Sequence, residues 1–273
     1  MMNKRLKTLV LAGTSEARTV IDGLVADGRF DVTASLAGAT PNPASLPVPT
    51  LTGGFGGADG LAAWCRDHDV ALLVDVTHPF ARQISGNARL AAAEAGIGLL
   101  RFERPPWHPA PGDDWRSFAS WQDMADAIPA GSRVFLAGGT QSIEIFTKRD
   151  DITLVARALN VEGRTGPPHV TFINAMPATN IAAERGLFAE AGISLLCCKN
   201  SGGEASFAKI AAARALGLPV WLLARQDDVM PVETESEAEA ETGRAYPGDL
   251  KIHDSVEAII MAACLRAAQG GAG

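Results

Sequence analysis

One tyrosine, four cysteines and no Gly-Lys dipeptide occur in this chain of 273 residues, and each scarcity closes off a chemistry. A short-chain dehydrogenase needs Tyr-x-x-x-Lys, in which the lysine lowers the tyrosine pKa. Here Tyr246 is followed four positions on by Leu250. Without Gly-Lys there is no Walker-type phosphate loop. Gly13-x-Ser15-x-Ala17 departs from the nucleophile-elbow pattern at its last position. Cys65, Cys197, Cys198 and Cys264 show neither CxxC spacing nor a histidine pair at ligand spacing, so no metal site is expected. Scattered reduced thiols fit a cytoplasmic location.

Aromatic residues make up only 6% of the chain, so the core must rest on Ala, Leu, Val and Ile. Long apolar runs are missing as well. The N-terminal run, Thr8 to Ala12, is too short for a signal-peptide core or a membrane span, and no membrane partner is expected. Positive charge is not in excess: the formal net charge is −7, which argues against a nucleic-acid partner bound through its phosphates. Five of those charges sit in one acidic run, Glu233, Glu235, Glu237, Glu239 and Glu241, which has no apolar face in either period and reads as a solvated loop. The remainder is nearly balanced, and a monomer is compatible with it.

What the chain does have is alternation. Apolar runs at 6–13, 30–38, 70–76 and 97–103 read as strands, separated by helical stretches at 15–28 and 81–96 and a short helix before residue 70. A proline-rich break, "RPPWHPAPGDDW" (104–115), follows. Strands then recur at 132–139, 151–157, 193–200 and 218–225, with helices at 180–192, 204–217 and 255–268. This order predicts an α/β chain of two domains with mainly parallel sheets and a cleft between them, divided near 116–131 into 1–120 and 121–273.

Ligands of open α/β sheets bind at the carboxyl ends of strands, so the strand-to-helix turns are the places to search. Gly13-Thr14-Ser15-Glu16-Ala17 combines a glycine, two hydroxyls expected to face outward and a helix N-terminus, all suited to a phosphate. The plainer reading is an ordinary N-cap at Ser15. The second strand ends Ala34-Ser35-Leu36-Ala37-Gly38 without the carboxylate that binds NAD ribose hydroxyls, which leans toward NADPH. Thr77-His78-Pro79-Phe80, Gly138-Gly139-Thr140-Gln141 and Lys199-Asn200-Ser201-Gly202-Gly203 follow other strands. The last offers a lysine, an amide and a hydroxyl to an anion. His78 either ends a strand by bonding a neighbouring carbonyl or faces a ligand.

Taken together, "LAGTSEAR", "SLAG", "GGFGGADGL", "VDVTHPFARQISGNA", "LLRFERPPW" and "KNSGGEASFAKIAAARALGLPV" resemble the precorrin-6A reductase family of corrin biosynthesis. The resemblance implies two Rossmann-like domains and hydride transfer, usually from NADPH, to a ring double bond of precorrin-6A, giving precorrin-6B. Alternatives are a cobalt-precorrin-6A reductase using NADH, or a dinucleotide- or tetrapyrrole-binding protein impaired in catalysis. It places the cofactor at Gly13, Thr14, Ser15, Glu16, Ala17, Ser35 and Gly38. It places the tetrapyrrole at Thr77, His78, Arg82, Lys199, Asn200, Ser201, Gly202 and Gly203, with His78 and Lys199 as the catalytic candidates. Arg82, Arg101, Arg104, Lys199 and Arg225 are expected to line one positive face. Three stretches depart from the pattern: Ala39 stands where an arginine is usual, "FINAMPATN" (172–180) replaces a glycine-rich turn, and "ARQDD" (224–228) replaces an arginine–proline ending.

Overall fold

A computed structural model describes residues 5–38, 45–225 and 251–270. Ala39, residues 226–228 of "ARQDD", the acidic run and Tyr246 lie outside the described residues. The chain divides into two compact units. The first runs to Pro105 and regains the C-terminal residues; the second starts at Pro106.

In the first unit Leu6–Leu11 (β1), Phe30–Leu36 (β2), Thr50–Thr52 (β3), Leu72–Asp75 (β4) and Gly98–Phe102 (β5) join Lys251–His253 (β12) in one sheet. Its order is β12-β5-β4-β1-β2-β3, and every pairing is parallel. The helices are Ser15–Asp27 (α1), Ala58–Asp67 (α2), Arg82–Ala95 (α3) and, from the C-terminus, Val256–Gly270 (α8). Side chains of a strand alternate between faces. Val10 of β1 therefore packs with Val20, Ile21 and Leu24 of α1 and Ile259 of α8, while Leu9 and Leu11 pack with Leu61 of α2 and Ala88 and Ala91 of α3. With both faces covered, the inner strands carry continuous apolar runs, Leu9–Leu11 in β1, Leu72–Val74 in β4 and Leu99–Leu100 in β5.

The second unit repeats the plan. Trp115–Phe118 (β6), Arg133–Ala137 (β7), Thr153–Ala158 (β8), Val170–Asn174 (β9), Leu195–Lys199 (β10) and Val220–Leu223 (β11) lie in the order β6-β11-β10-β7-β8-β9, again all parallel. Trp121–Ala127 (α4) and Thr140–Phe146 (α5) cover one face, through Met124, Ile143 and Phe146. Ile181–Glu190 (α6) and Ala208–Ala215 (α7) cover the other, through Phe188 and Ile210. Cys197 and Cys198, neighbours in β10, point to opposite cores, and both are fully buried. Burial pushes the Cys198 thiol up to about 11 and the Cys197 thiol in the same direction.

The division differs from the expected one at 116–131. β6 already belongs to the second sheet, paired with β11, while β12 and α8 return to the first, paired with β5 and packed on α1. The first crossing falls inside the proline-rich break at 104–115, which the sequence does mark; the strand that returns to the first sheet, β12, has only three residues and no such signal. Among the described residues, no helix is long and apolar enough to cross a membrane, and no group of three His, Cys, Asp or Glu side chains is placed to hold a metal.

Candidate active site

In the first sheet the chain starts near the middle and winds one way and then the other. In the second it enters at the edge strand β6, crosses to β7 in the middle and then does the same. In each sheet two adjacent strands therefore send their crossovers in opposite directions. In the first unit these are β1 and β4; in the second they are β7 and β10. Crevices at such switch points are where open α/β sheets take ligands.

Two turns meet at the first switch point. The Thr14 hydroxyl donates to the Val76 carbonyl at 2.8 Å and accepts from Ala17 N at 3.2 Å. Thr14, not Ser15, is therefore the N-cap of α1, and its hydroxyl faces inward where an outward direction was expected. Ser15 is exposed, and its hydroxyl donates to Glu16 Oε2 at 2.9 Å. Glu16 Oε1 accepts from the buried Arg104 at 2.6 Å. Burial alone would raise the Glu16 pKa, but its own backbone amide, Arg104 and Ser15 together hold it below its ordinary value. Gly13 has φ +135°, and nothing lies within 4 Å of the position a Cβ would take. Only glycine adopts that backbone readily, and the turn's main chain is left open to an approaching group. Ala17 and Ser35 are buried, and the Ser35 carbonyl accepts from Ala12 N at 2.8 Å. Gly38 abuts Thr52. Ser35 and Gly38 thus shape the end of β2 without offering it a polar side chain on the open side.

The turn after β4 is held by a buried carboxylate. Asp75 Oδ1 accepts from Thr77 N at 3.0 Å and from Thr77 Oγ1 at 2.7 Å, and Oδ2 accepts from Arg101 Nη1 at 2.6 Å. Thr77 Oγ1 also reaches Ser85 Oγ of α3 at 3.2 Å. Arg101 extends the chain of charges to Glu103 at 3.1 Å. Burial would lower the Arg101 pKa, yet Asp75 and Glu103 drive it upward. On this support sits His78, half-buried, its Nδ1 accepting from Phe80 N at 3.2 Å. An accepting Nδ1 puts the proton of the neutral ring on Nε2. Thr77 is buried, and its hydroxyl is engaged on two sides, by Asp75 and Ser85, in support of the turn. Arg82 opens α3 and is exposed.

At the second switch point Gly138 and Gly139 follow β7, and Lys199 ends β10. A Cβ at Gly138 would stand 2.3 Å from Ser142 Oγ and 2.7 Å from the Trp121 ring, so no other residue fits there. Lys199 Nζ lies 4.0 Å from the place where a Cβ of Gly139 would be, which seats its ammonium group over the glycine turn. Burial lowers the Lys199 pKa. Its neighbours in the motif serve the backbone instead. Asn200 Oδ1 accepts from Trp107 N at 2.8 Å, and Nδ2 donates to Trp107 O at 3.1 Å. Trp107 Nε1 donates to Gly203 O at 2.8 Å. Arg225 donates to the carbonyls of Asn200 and Ser201, each at 3.0 Å. Gly202 and Gly203 turn the chain between them, with φ +66° and +70°. Asn200 and Ser201 are buried, and Asn200 clasps the proline-rich segment at Trp107.

The expected array of five cations is correspondingly reduced. Arg101 is committed to Asp75 and Glu103, Arg104 to Glu16, and Arg225 to two carbonyls. Local carboxylates and carbonyls engage these three guanidinium groups; Arg82 is exposed at the start of α3, and Lys199 stands over the glycine turn. Sequence reasoning missed Asp75, which stands two residues before Thr77 in an Asx-type arrangement. It also missed the buried pair of Arg157 on β8 and Glu184 on α6, 2.7 Å apart. Asp75 opposite Arg101 becomes visible only once β4 and β5 are in register.

Comparison with known proteins agrees with this architecture. Residues 7–242 match the family described as "Precorrin-6x reductase CbiJ/CobK". A precorrin-6A reductase of Rhodococcus erythropolis is 40% identical over 246 residues, covering 89% of this chain and 98% of the relative. A cobalt-precorrin-6A reductase of Priestia megaterium is 30% identical over 237 residues, covering 80% and 89%. The solved structure of "CobK precorrin-6A reductase" superposes with a TM-score of 0.79 at 33% identity, covering 96% of both chains.

Proposed function

The chain belongs to the precorrin-6x reductase family, and on that premise we propose that it reduces a ring double bond of precorrin-6A with NADPH, giving precorrin-6B. The family implies a nicotinamide dinucleotide; the choice of NADPH is our own. It rests on the end of β2, where Leu36-Ala37-Gly38 carries no carboxylate to repel a 2′-phosphate. The greater identity to the Rhodococcus erythropolis relative than to the Priestia megaterium one supports the metal-free substrate.

The observation that carries the reading is the Thr14–Val76 hydrogen bond, which seats the glycine turn and the His78 turn side by side. The open backbone at Gly13 and the N-terminus of α1 fit a diphosphate, which they would hold through amides and the helix dipole. When bound, the cofactor supplies the hydride. The chain's own work is to position a large planar substrate and to see a proton delivered to the neighbouring carbon. His78, with Nε2 as its donor, and Lys199 are suited to substrate carboxylates or to that proton. Arg82 at the exposed start of α3 is suited to a carboxylate.

Purified protein mixed with precorrin-6A and NADPH tests this, with the nicotinamide absorbance followed. Oxidation that requires both partners, and is slower with NADH, is the expected result. Tight NADPH binding without substrate-dependent oxidation would sink the reductase reading in favour of a sensor. Faster turnover of cobalt-precorrin-6A would move the chain to the other branch.

A further inference from the structure

The segment "FINAMPATN" holds a feature that the reaction above does not use. Loops are ordinarily polar, yet residues 175–178 read Ala-Met-Pro-Ala, with Ala175 and Met176 exposed and Pro177 and Ala178 half-buried. Met176 is 64% exposed, and Ile181, the first residue of α6, is 45% exposed. The loop leaves the carboxyl end of β9, the side of the sheet on which Gly139 and Lys199 stand.

Beneath it lies an unusual foundation. Glu184 Oε1 accepts from Ala178 N at 2.9 Å and from Arg157 Nη1 at 2.7 Å, and the Arg157 guanidinium rests over the Phe135 ring at 4.9 Å. Both side chains are at least nine-tenths buried, and Arg157 Nη2 and Glu184 Oε2 have no protein partner. A half-satisfied buried ion pair is costly compared with an apolar core, and here it is spent on one loop. Asn180 caps α6 through Ala182 N at 2.8 Å, so the loop is fixed where it enters the helix too.

We propose that loop 175–178 and Ile181 form an apolar bed for the flat face of the tetrapyrrole, with the buried Arg157–Glu184 pair holding the bed in position. The proposal rests on the reductase reading. Strands in a sheet are about 4.8 Å apart, so β8 and β9 stand roughly 10 and 14 Å from β10 and its Lys199. A macrocycle with peripheral carboxylates spans that distance, its ring on the bed and a carboxylate toward the lysine. An adenine ring alone does not.

The full-length double variant Met176→Ala/Ile181→Ala, altered only at exposed positions, tests the bed. With saturating NADPH and varied precorrin-6A, its KM for the tetrapyrrole should rise about tenfold, as expected for two truncated apolar contacts. Its kcat and its Kd for NADPH should stay within about twofold, and Met176→Leu should behave as wild type. An unchanged KM, or a loss confined to NADPH binding, would overturn the proposal; the latter would make the bed an adenine site. Glu184→Gln should raise the same KM at constant kcat, whereas lower thermal stability with KM unmoved removes its positioning role. If wild type itself fails to turn over precorrin-6A, the reductase reading has failed; if wild type and the double variant turn over alike, only the bed has.

Discussion

At the β1/β4 switch point, nearby charges are paired with one another: Glu16 with Arg104, and Asp75 with Arg101. What that crevice offers is main chain, a glycine turn and the start of a 13-residue helix. At β7/β10 the helix has only seven residues, and a half-buried lysine overlooks two glycines. The shared part of the strand order, β5-β4-β1-β2-β3 and β11-β10-β7-β8-β9, therefore supplies two crevices, and side-chain commitment decides what each can hold. The first suits a group recognised through backbone amides and a dipole; the second suits a discrete carboxylate.

The hardest blow to this contrast is Asp75→Ala, which leaves Arg101 with Glu103 alone and frees the His78 turn. Removing one partner of a buried pair costs about 3 kcal/mol, so the urea midpoint should fall well below that of wild type. A near-native midpoint would show that the turn is held by other means. Lys199→Met comes next. It should raise the KM for the tetrapyrrole about 10- to 100-fold, the range for losing a charge-assisted bond, and leave NADPH binding alone. Equal losses for both ligands would erase the distinction between the crevices. The pH dependence has a definite sign. Burial lowers the Lys199 pKa, so the ammonium proton leaves below the ordinary lysine range. The KM should climb as pH rises through that lowered value, and in Lys199→Arg the climb should vanish. Thr14→Val has the smallest expected effect, about 2 kcal/mol for a lost cap and a lost bond to Val76. Its NADPH Kd should weaken while Lys199-dependent binding is spared; the reverse pattern would misplace the cofactor.

The sequence reveals much of this, and what it hides has a physical pattern. The eight inner strands are legible because both faces are covered, which gives continuous apolar runs such as Leu72–Val74 and Leu195–Cys198 before the charged residue at the strand end. β3, β6, β9 and β12 escape notice, and they are the outer strands of the two sheets. "TLT" and "KIH" have three residues each, and "WRSF" is exposed at its centre, so none has a run to find. At the site, the switch-point turns are legible from their glycines and hydroxyls. The direction of a hydroxyl is not, because Thr14 turns inward for the sake of Val76, sixty-two residues away. The "KNSGG" motif mixes both outcomes: Lys199 stands over the crevice, while Asn200 faces Trp107, a partner that pattern alone does not name.

The return of β12 and α8 to the first sheet orders events during synthesis. The ribosome delivers β1 to β5 and then the whole second unit before the strand that completes the first sheet appears. Until then β5 is an open edge, ready to pair with any extended chain, and the face of α1 that meets Ile259 and Ala263 lacks its cover. The unit begun first is thus the last to close. A chain stalled after β11 would carry a complete second core beside an unfinished first one, and its tendency to aggregate is set by strand order, not by any single residue.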